Sequence, residues 1–378
     1  ATNITRFERD PMGRLLHKHT PDGCDTTFGY DANGRLTSAS NAHRTLAFAY
    51  TPNGQLHSES QDQASLQHQY DPQGNRTGTT LPSGTQLGYS YDPLGQFTAL
   101  DYNGNRITQL QRNQHGQEIS RTQGQVQAGF DYDPAGRLCR HWVQNHGVQG
   151  QQTREAIIDR QYQYDGAGRL QIIDDLRKGK TQYHYDALDR LKAVDGYAQE
   201  QFDFDPAGNI LSPGTTQNSQ QQSQPATQTG NRLAFHGDRH FTYDERGNLI
   251  EERRGKGGKL QTRYHYNSQN QLIKVERNNN GSEGSFSQTV TYAYDPLGRR
   301  IRKTDEFGET TFLWNGDVLL SEKRGHKDKL YLYEPNSFKP LAFIENNQCY
   351  FYHLDHLGTP QELTNWEGQI VWSARYRV

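Results

Sequence analysis

The segment YHLDHLGTP, residues 352–360, holds the densest group of side chains that could do chemistry. His353, Asp355 and His356 are residue types that bind metal ions or transfer protons. On a strand, however, His353 and Asp355 share one face while His356 lies on the other, so only two ligands converge. No third ligand is identifiable in the sequence. We therefore predict a structural role, in which Asp355 and His356 hydrogen-bond the turn at Leu357 and Gly358.

A recurring aspartate is the second candidate, because paired carboxylates hydrolyse glycosidic bonds. It lies in a repeated stretch, written YDANGRL at 30, YDPAGRL at 132 and YDPLGRR at 294. Asp, Pro and Gly at the first, second and fourth places of DPxG match a type I turn. We therefore assign the aspartates to turns and expect the arginines after the glycine, such as Arg35, Arg137, Arg169 and Arg299, to pair with neighbouring carboxylates. The turn aspartates are Asp10, Asp31, Asp71, Asp92, Asp133, Asp165, Asp186, Asp205, Asp244 and Asp295.

Other reactive patterns are missing from the sequence. It has no G-x-S-x-G elbow, no Walker loop and no G-x-G-x-x-G after a strand. Cys24, Cys139 and Cys349 are odd in number and far apart, which favours buried or idle thiols over disulfides or zinc. RRGKGGK at 253–259 is interpreted as a solvated hairpin tip rather than a phosphate-binding loop. We predict no catalytic, cofactor-binding or metal-binding residues.

The elements that position these residues are β-hairpins. Aromatic residues alternate before each turn, as in YQY at 162 and YHY at 183, and a leucine opens the return strand. The units recur roughly 20 residues apart, which predicts an all-β fold, a long antiparallel sheet whose tyrosines stack in ladders. Helix signals at 153–161 and 172–179 have little weight, and the Gln/Ser/Thr-rich stretch 212–230 is predicted to be a mobile loop or insertion. The marker aromatics are Tyr30, Tyr50, Tyr70, Tyr91, Tyr132, Tyr164, Tyr185, Tyr243, Tyr266 and Tyr294, with Phe204 in the same role.

Composition narrows the class of protein further. The 378 residues are only 31% hydrophobic and have a mean hydropathy of -1.03, but 22 Tyr, 15 Phe and a net charge of -2 argue against disorder. The balanced charge disfavours a broad nucleic-acid or membrane-surface binder. No apolar run reaches about 18 residues, so no membrane-spanning helix is expected. The composition fits a sheet that curls around an open space better than a packed sandwich.

The repeated Y-D-x-x-G-R-L unit, followed by YHLDHLGTPQELTNWEGQIVWSARY at 352–376, resembles Rhs or YD-repeat proteins. The resemblance divides the chain into a YD-repeat hairpin array, residues 1–311, and the terminal part of an Rhs core with the DHLGTP stretch, residues 312–378. It implies a hollow β-cocoon that encloses a toxic C-terminal domain of the same parent chain. The resemblance further implies an effector of type VI secretion or an encapsulating subunit of a Tc toxin complex, with PAAR and VgrG spike proteins and an Eag-type chaperone as partners.

The chain also departs from this family pattern. A downstream self-cleaving segment and a PAAR-like region are absent, and the only methionine, Met12, lies inside a repeat, so we interpret the sequence as part of a longer polypeptide. We expect a non-catalytic shell segment, made in the bacterial cytoplasm and then secreted or delivered into a target cell. The alternative is a YD-repeat adhesion or carbohydrate-binding module, and an enzyme is the least favoured reading.

Overall fold

Antiparallel strands make up almost all regular structure in a computed structural model that describes residues 4–145, 156–197, 199–210, 227–228, 232–278 and 288–377. The one short helix of this part of the chain is the 3-10 turn Lys256–Gly258. The strands, in chain order, are β1 (Arg6–Arg9), β2 (Leu15–His19), β3 (Thr26–Tyr30), β4 (Leu36–Ser40), β5 (Thr45–Tyr50), β6 (Leu56–Gln61), β7 (Ala64–Tyr70), β8 (Arg76–Thr80), β9 (Gln86–Tyr91), β10 (Phe97–Tyr102), β11 (Asn105–Arg112), β12 (Glu118–Gln123), β13 (Val126–Tyr132), β14 (Leu138–Asn145), β15 (Ala156–Tyr164), β16 (Leu170–Asp175), β17 (Gly179–Tyr185), β18 (Leu191–Asp195), β19 (Glu200–Gln201), β20 (Thr227–Gln228), β21 (Arg232–Leu233), β22 (Phe235–His236), β23 (Arg239–Tyr243), β24 (Leu249–Arg254), β25 (Leu260–Tyr266), β26 (Leu272–Asn278), β27 (Gln288–Tyr294), β28 (Arg300–Asp305), β29 (Gly308–Asn315), β30 (Val318–Arg324), β31 (Lys327–Tyr333), β32 (Pro340–Glu345), β33 (Gln348–Leu354), β34 (Pro360–Thr364) and β35 (Ile370–Ser373).

The strands form long antiparallel sheets of 19 and 14 strands and one two-stranded pair, which confirms the predicted all-β class. The chain forms two units: unit 1 is Ala1–Gln67 with Leu211–Asp328, and unit 2 is His68–Ile210 with Lys329–Val378. Each unit therefore combines two stretches of the chain that are distant in sequence. The division of the chain at residue 311 into a repeat array and a terminal part rests on the sequence pattern and stays a prediction.

The segments with weak helix signals, 153–161 and 172–179, are strands in β15 and in β16 with the start of β17, apart from the turn between those two and the residues before 156, which lie outside the described part of the chain. RRGKGGK begins at the end of β24 and continues through the turn to β25, and most of its described side chains are exposed, as expected for a hairpin tip. The predicted loop at 212–230 lies outside the described residues, apart from β20.

Every assigned turn aspartate closes a turn, which confirms the assignment. In the turn at Asp133, the carboxylate Oδ1 accepts hydrogen bonds from the backbone N–H groups of Ala135 at 3.0 Å and Arg137 at 2.9 Å. The glycine of the same turn, Gly136, has a φ of +80°, which few residues other than glycine adopt without strain. Arg137 Nε donates to Asp133 Oδ2 at 2.7 Å, and the predicted arginine–carboxylate pairs form in the same way elsewhere.

In many units the marker tyrosine binds the hairpin before it. The Tyr164 hydroxyl donates to the Leu138 carbonyl at 2.9 Å, and Arg137 lies 4.5 Å above the Tyr164 ring. The hydroxyl explains why tyrosine, rather than phenylalanine, dominates this position. Our expectation of tyrosine stacking is corrected for such units, because an arginine of the preceding turn covers the ring. The same hydroxyl contact recurs at Tyr50, Tyr91, Tyr132, Tyr185, Tyr266 and Tyr294, and the arginine contact recurs on Tyr30, Tyr50, Tyr185 and Phe204.

Buried charge supplements a small apolar core. In unit 1, Arg299 is 7% exposed and binds Glu59 at 2.8 Å and Asp295 at 2.6 Å, joining residues that are far apart in sequence. Unit 2 has an apolar cluster and similar buried ion pairs. Paired charges can be buried when their hydrogen bonds are satisfied, which explains how so few hydrophobic residues suffice. The apolar cluster of unit 2 consists of Val126, Ala128, Val143 and Ile158, packed against Phe130, Ile157 and Ile370.

A glycine at the tip between β12 and β13 allows a close backbone contact in unit 2. Gly124 has a φ of +54°, and a Cβ there would lie 2.6 Å from the Trp366 carbonyl oxygen. We expect Gly124→Ala to lose about 1–2 kcal/mol from the positive φ and about 1–3 kcal/mol more from overpacking. Gly104→Ala is the matched control, since its φ is +78° and nothing lies within 4 Å. Urea unfolding of both variants measures the difference, and equal losses would contradict the close-contact argument.

Candidate functional site

The DHLGTP segment forms the connection between β33 and β34. Asp355 Oδ1 accepts hydrogen bonds from the backbone N–H groups of Leu357 and Thr359, both at 2.9 Å. Its Oδ2 accepts a bond from Gln361 Nε2 at 2.9 Å. The predicted turn role of Asp355 is confirmed.

His356 does not share this role, so that part of the prediction is wrong. Its Nδ1 is buried without a hydrogen-bond partner in the described residues, and its ring packs 5.2 Å from the ring of Tyr162. The Tyr162 hydroxyl is likewise buried without a partner there. Burial lowers the pKa of His356 despite the opposing charge of Asp355, and burial raises the pKa of Tyr162. Packing from β15, which local turn chemistry cannot reveal, decides where this imidazole lies.

Two histidines from distant strands meet in the interior of unit 2. His353 is 2% exposed, its Nε2 lies 2.9 Å from Thr364 Oγ1, and its ring is 6.4 Å from that of His141. His141 stacks on Phe130 at 4.6 Å. Burial, reinforced by the Arg121 and Arg160 charges, lowers the pKa of His353 to about 3, and burial holds the pKa of His141 well below its ordinary value. Both rings are therefore neutral at pH 7.

A buried ion-pair group lies beside these rings. Arg121 binds Glu118 through two contacts of 2.5 and 2.6 Å, and Lys339 Nζ lies 2.6 Å from the same carboxylate. Burial alone would raise the pKa of the Glu118 carboxyl group. The charges of Arg121 and Lys339 outweigh this effect and lower the pKa to about 2. Lys339 Nζ also lies 3.5 Å from Glu334, which forms an ion pair with Arg112 and so extends the group.

A second ion-pair group is centred on Glu362, which is fully buried. Arg160 binds Glu362 and also Asp175, the latter at 2.6 Å. Lys178 Nζ lies 3.0 Å from Glu362 Oε1 and 2.7 Å from Gln361 Oε1. Sequence reasoning missed this group, because Arg160 and Glu362 are 202 residues apart and no local pattern joins them.

A cavity of about 780 Å³ lies against the two histidines and the Glu118 group, and its lining includes Glu118, Arg121, His141, His353 and Asp355. Each charged group named here is held by a partner, and the histidines are neutral. The thiols offer no ready nucleophile, because burial raises the pKa of Cys349 to about 12 and also raises those of Cys24 and Cys139. The arrangement is suited to holding strands together.

A different set of residues has metal-ligand spacing. Within the described residues, Glu8, His17 and His19 form the one group of three or more His, Cys, Asp or Glu side chains whose ligand atoms converge. Sequence reasoning missed it, although the alternation in LLHKH places both histidines on one strand face. The third ligand comes from β1, so the group depends on strand register.

A chain built from stacked β-hairpins with buried charge between distant segments belongs to the class of β-repeat proteins. The model of the family described as Teneurin YD-shell matches residues 151–378, and the RHS Repeat model matches residues 70–107. The chain belongs to this YD-shell family of Rhs-type repeat proteins.

Two relatives carry toxin names, and a third is named as a probable deoxyribonuclease. Double-stranded DNA deaminase toxin A of Burkholderia cenocepacia is 30% identical over 419 residues, covering 99% of this chain and 27% of that protein. Toxin protein Tse5 of Pseudomonas aeruginosa is 26% identical, covering 67% of this chain and 24% of that protein. The probable deoxyribonuclease RhsB of Dickeya dadantii is 30% identical, covering 78% of this chain and 20% of that protein. The chain thus spans between a fifth and somewhat over a quarter of these relatives.

The fold is similar to that of solved structures, one of which is described as a Tc holotoxin pore of Photorhabdus luminescens. The crystal structure of TcdB2-TccC3 aligns with a TM-score of 0.58 at 16% identity, covering 99% of this chain and 24% of that one. At this identity the likeness concerns the fold alone. Among the described residues, no helix has the length and apolar character needed to cross a membrane.

Proposed function

We propose that this chain is a wall segment of a hollow YD-repeat shell that encloses a toxin domain of the same longer polypeptide, and that the segment itself is not catalytic. The observation that carries the proposal is the alignment of 99% of the chain with about a quarter of a protein named as a toxin. A shell requires a wall that is stable without a large apolar core. The buried ion pairs and the tyrosine contacts between hairpins supply such stability.

The structure of the candidate site supports a structural role for the DHLGTP segment. Asp355 is occupied by turn hydrogen bonds. His353 is buried against His141, and Glu362 is buried against Arg160, both from strands that are distant in sequence. A catalytic acid or base has to reach a substrate, whereas these groups are committed to contacts within unit 2. In this proposal the segment fastens the terminal strands to the earlier repeats, and none of its residues is catalytic, cofactor-binding or metal-binding.

The delivery route belongs to the same proposal. We propose synthesis in the bacterial cytoplasm, followed by secretion or delivery into a competitor or host cell, with a type VI machine as the favoured route. PAAR and VgrG spike proteins and an Eag-type chaperone are the proposed partners of the longer polypeptide. Residues 1–311 would form the hairpin array and residues 312–378 the terminal part of the core.

Single-particle electron microscopy of the longer polypeptide tests the enclosure. We expect a closed β-shell with internal density, and we expect that density to disappear when the C-terminal toxin domain is deleted. A compact filled particle, or an open sheet, would contradict enclosure. Saturable binding of the chain on a glycan array would then favour the adhesion alternative. Metal-dependent turnover of nucleic acid or glycan by the purified chain would contradict the non-catalytic assignment.

A further inference from the structure

Three potential metal ligands converge where β1 pairs with β2. Glu8 lies opposite His17 in the antiparallel register, and His17 and His19 lie two residues apart on the same face of β2. One ligand atom from each of the three side chains lies within 4.8 Å of the other two. The two imidazole planes are parallel to within 2°, with centroids 5.7 Å apart. The strand pairing therefore presents two nitrogen ligands and one oxygen ligand to a common point.

A second carboxylate orients one of these ligands. His19 Nδ1 lies 3.1 Å from Asp25 Oδ2, while His19 Nε2 lies 3.3 Å from Glu8 Oε1. Asp25 is itself fixed, because its Oδ1 accepts a hydrogen bond from the Thr20 backbone N–H at 2.9 Å. A histidine whose Nδ1–H donates to a carboxylate keeps the Nε2 lone pair for a metal ion, which is the usual second layer of a metal site. This contact is independent of the convergence of the three ligands.

We propose that Glu8, His17 and His19 bind a divalent transition-metal ion of the zinc class, with Asp25 as a positioning residue. Two histidines and one glutamate are an established zinc ligand set, and they leave a position for water or another ligand. With metal–ligand bonds near 2.1 Å, tetrahedral ligands lie about 3.4 Å apart. The ligand atoms lie within 4.8 Å of one another, so the half-exposed side chains need to close by about 1.4 Å at most. Bound metal would clamp β1 onto β2, and the free energy of unfolding would rise with the logarithm of the ratio of metal concentration to the dissociation constant.

Neighbouring groups are compatible with this assignment. Arg6 pairs in register with His19 and brings a positive charge to the same face, which the two carboxylates of Glu8 and Asp25 outweigh. Other histidine–carboxylate contacts differ in kind. His265 lies 2.8 Å from Glu276 without a second converging histidine among the described residues, so it provides a matched control.

Zinc titration by calorimetry, with cobalt as a spectroscopic probe, tests the site in the untagged chain. We expect one equivalent of zinc per chain and cobalt absorption typical of nitrogen and oxygen ligands without a thiolate band. His17→Gln and His19→Gln should each weaken zinc binding by about 100-fold, and Asp25→Asn by about 10-fold to 100-fold. His265→Gln should bind as the wild type does.

The proposal would be overturned by either of two results. One is zinc binding by the wild type that is no tighter than binding by the doubly substituted His17→Gln/His19→Gln chain. The other is a cobalt spectrum dominated by thiolate ligands. Circular dichroism of every variant shows whether the fold is retained, and zinc-dependent thermal stabilisation of the wild type, absent from His17→Gln, is the second readout. Failure here leaves the shell proposal untouched, because enclosure does not depend on this metal.

Discussion

We expect Glu362→Gln to lower the free energy of unfolding by about 3 kcal/mol. The side chain is fully buried and binds Arg160, which is 2% exposed. Glutamine keeps the shape but removes the charge, so Arg160 and Lys178 lose an anionic partner in a poorly solvated place. Breaking one side of a buried ion pair costs about 3–5 kcal/mol, because the remaining charge stays uncompensated. We expect the lower end of that range, since Asp175 still binds Arg160 at 2.6 Å.

Asp159→Asn is the matched control for this prediction. It removes the partner of Arg140, which lies 2.6 Å away and whose side chain is 43% exposed. Solvent screens such a pair, so the loss should be about 1 kcal/mol or less. Urea unfolding followed by circular dichroism and by tryptophan fluorescence measures both variants. Equal losses in the free energy of unfolding would contradict the argument that burial makes the Glu362 ion pairs more stabilising than an exposed pair.

We expect acid to destabilise the chain between pH 6.5 and pH 5 because of its buried histidines. The folded-state pKa of His353 is about 3, and that of His141 is also held well below the ordinary value of 6.5. Above pH 6.5 both folded and unfolded forms are neutral, and the stability is fully present. As the pH falls below 6.5, the unfolded chain takes up protons that the folded chain does not. Stability is then lost at about 1.4 kcal/mol per pH unit for each such histidine.

His353→Gln tests this expectation, since glutamine is neutral and its amide can still reach Thr364. The slope of stability against pH in this window should fall by the contribution of one histidine. His115→Gln, at an exposed turn position, is the control and should leave the slope unchanged. Glu118 does not interfere, because its folded-state pKa of about 2 lies below an ordinary value of 4.5 and its contribution is lost only at lower pH. His19, whose pKa the Asp25 hydrogen bond raises, acts in the opposite direction but is common to all three proteins. An unchanged slope in His353→Gln would contradict the assignment.

The sequence alone was sufficient to predict the hairpins and their turns. A turn such as Asp133 to Arg137 is complete within five residues, because its aspartate, glycine and arginine make their hydrogen bonds to one another. Alternating aromatic residues then fix the strands on either side. The family resemblance rests on the same short patterns, so the sequence alone is enough to recognise it. These features are local, because the residues that interact are close together in the sequence.

Contacts between distant segments could be decided only by the tertiary structure. No sequence pattern pairs Arg160 with Glu362, or turns His356 toward Tyr162 instead of toward its own turn. Glu8 meets His17 because of the strand register that the hairpin at residues 10–14 sets. That register cannot be read from the sequence. The energy of a buried charge depends on which opposite charge the fold brings to it. The hairpins therefore follow from the sequence, whereas the groups that hold each unit together exist only once its distant strands have met.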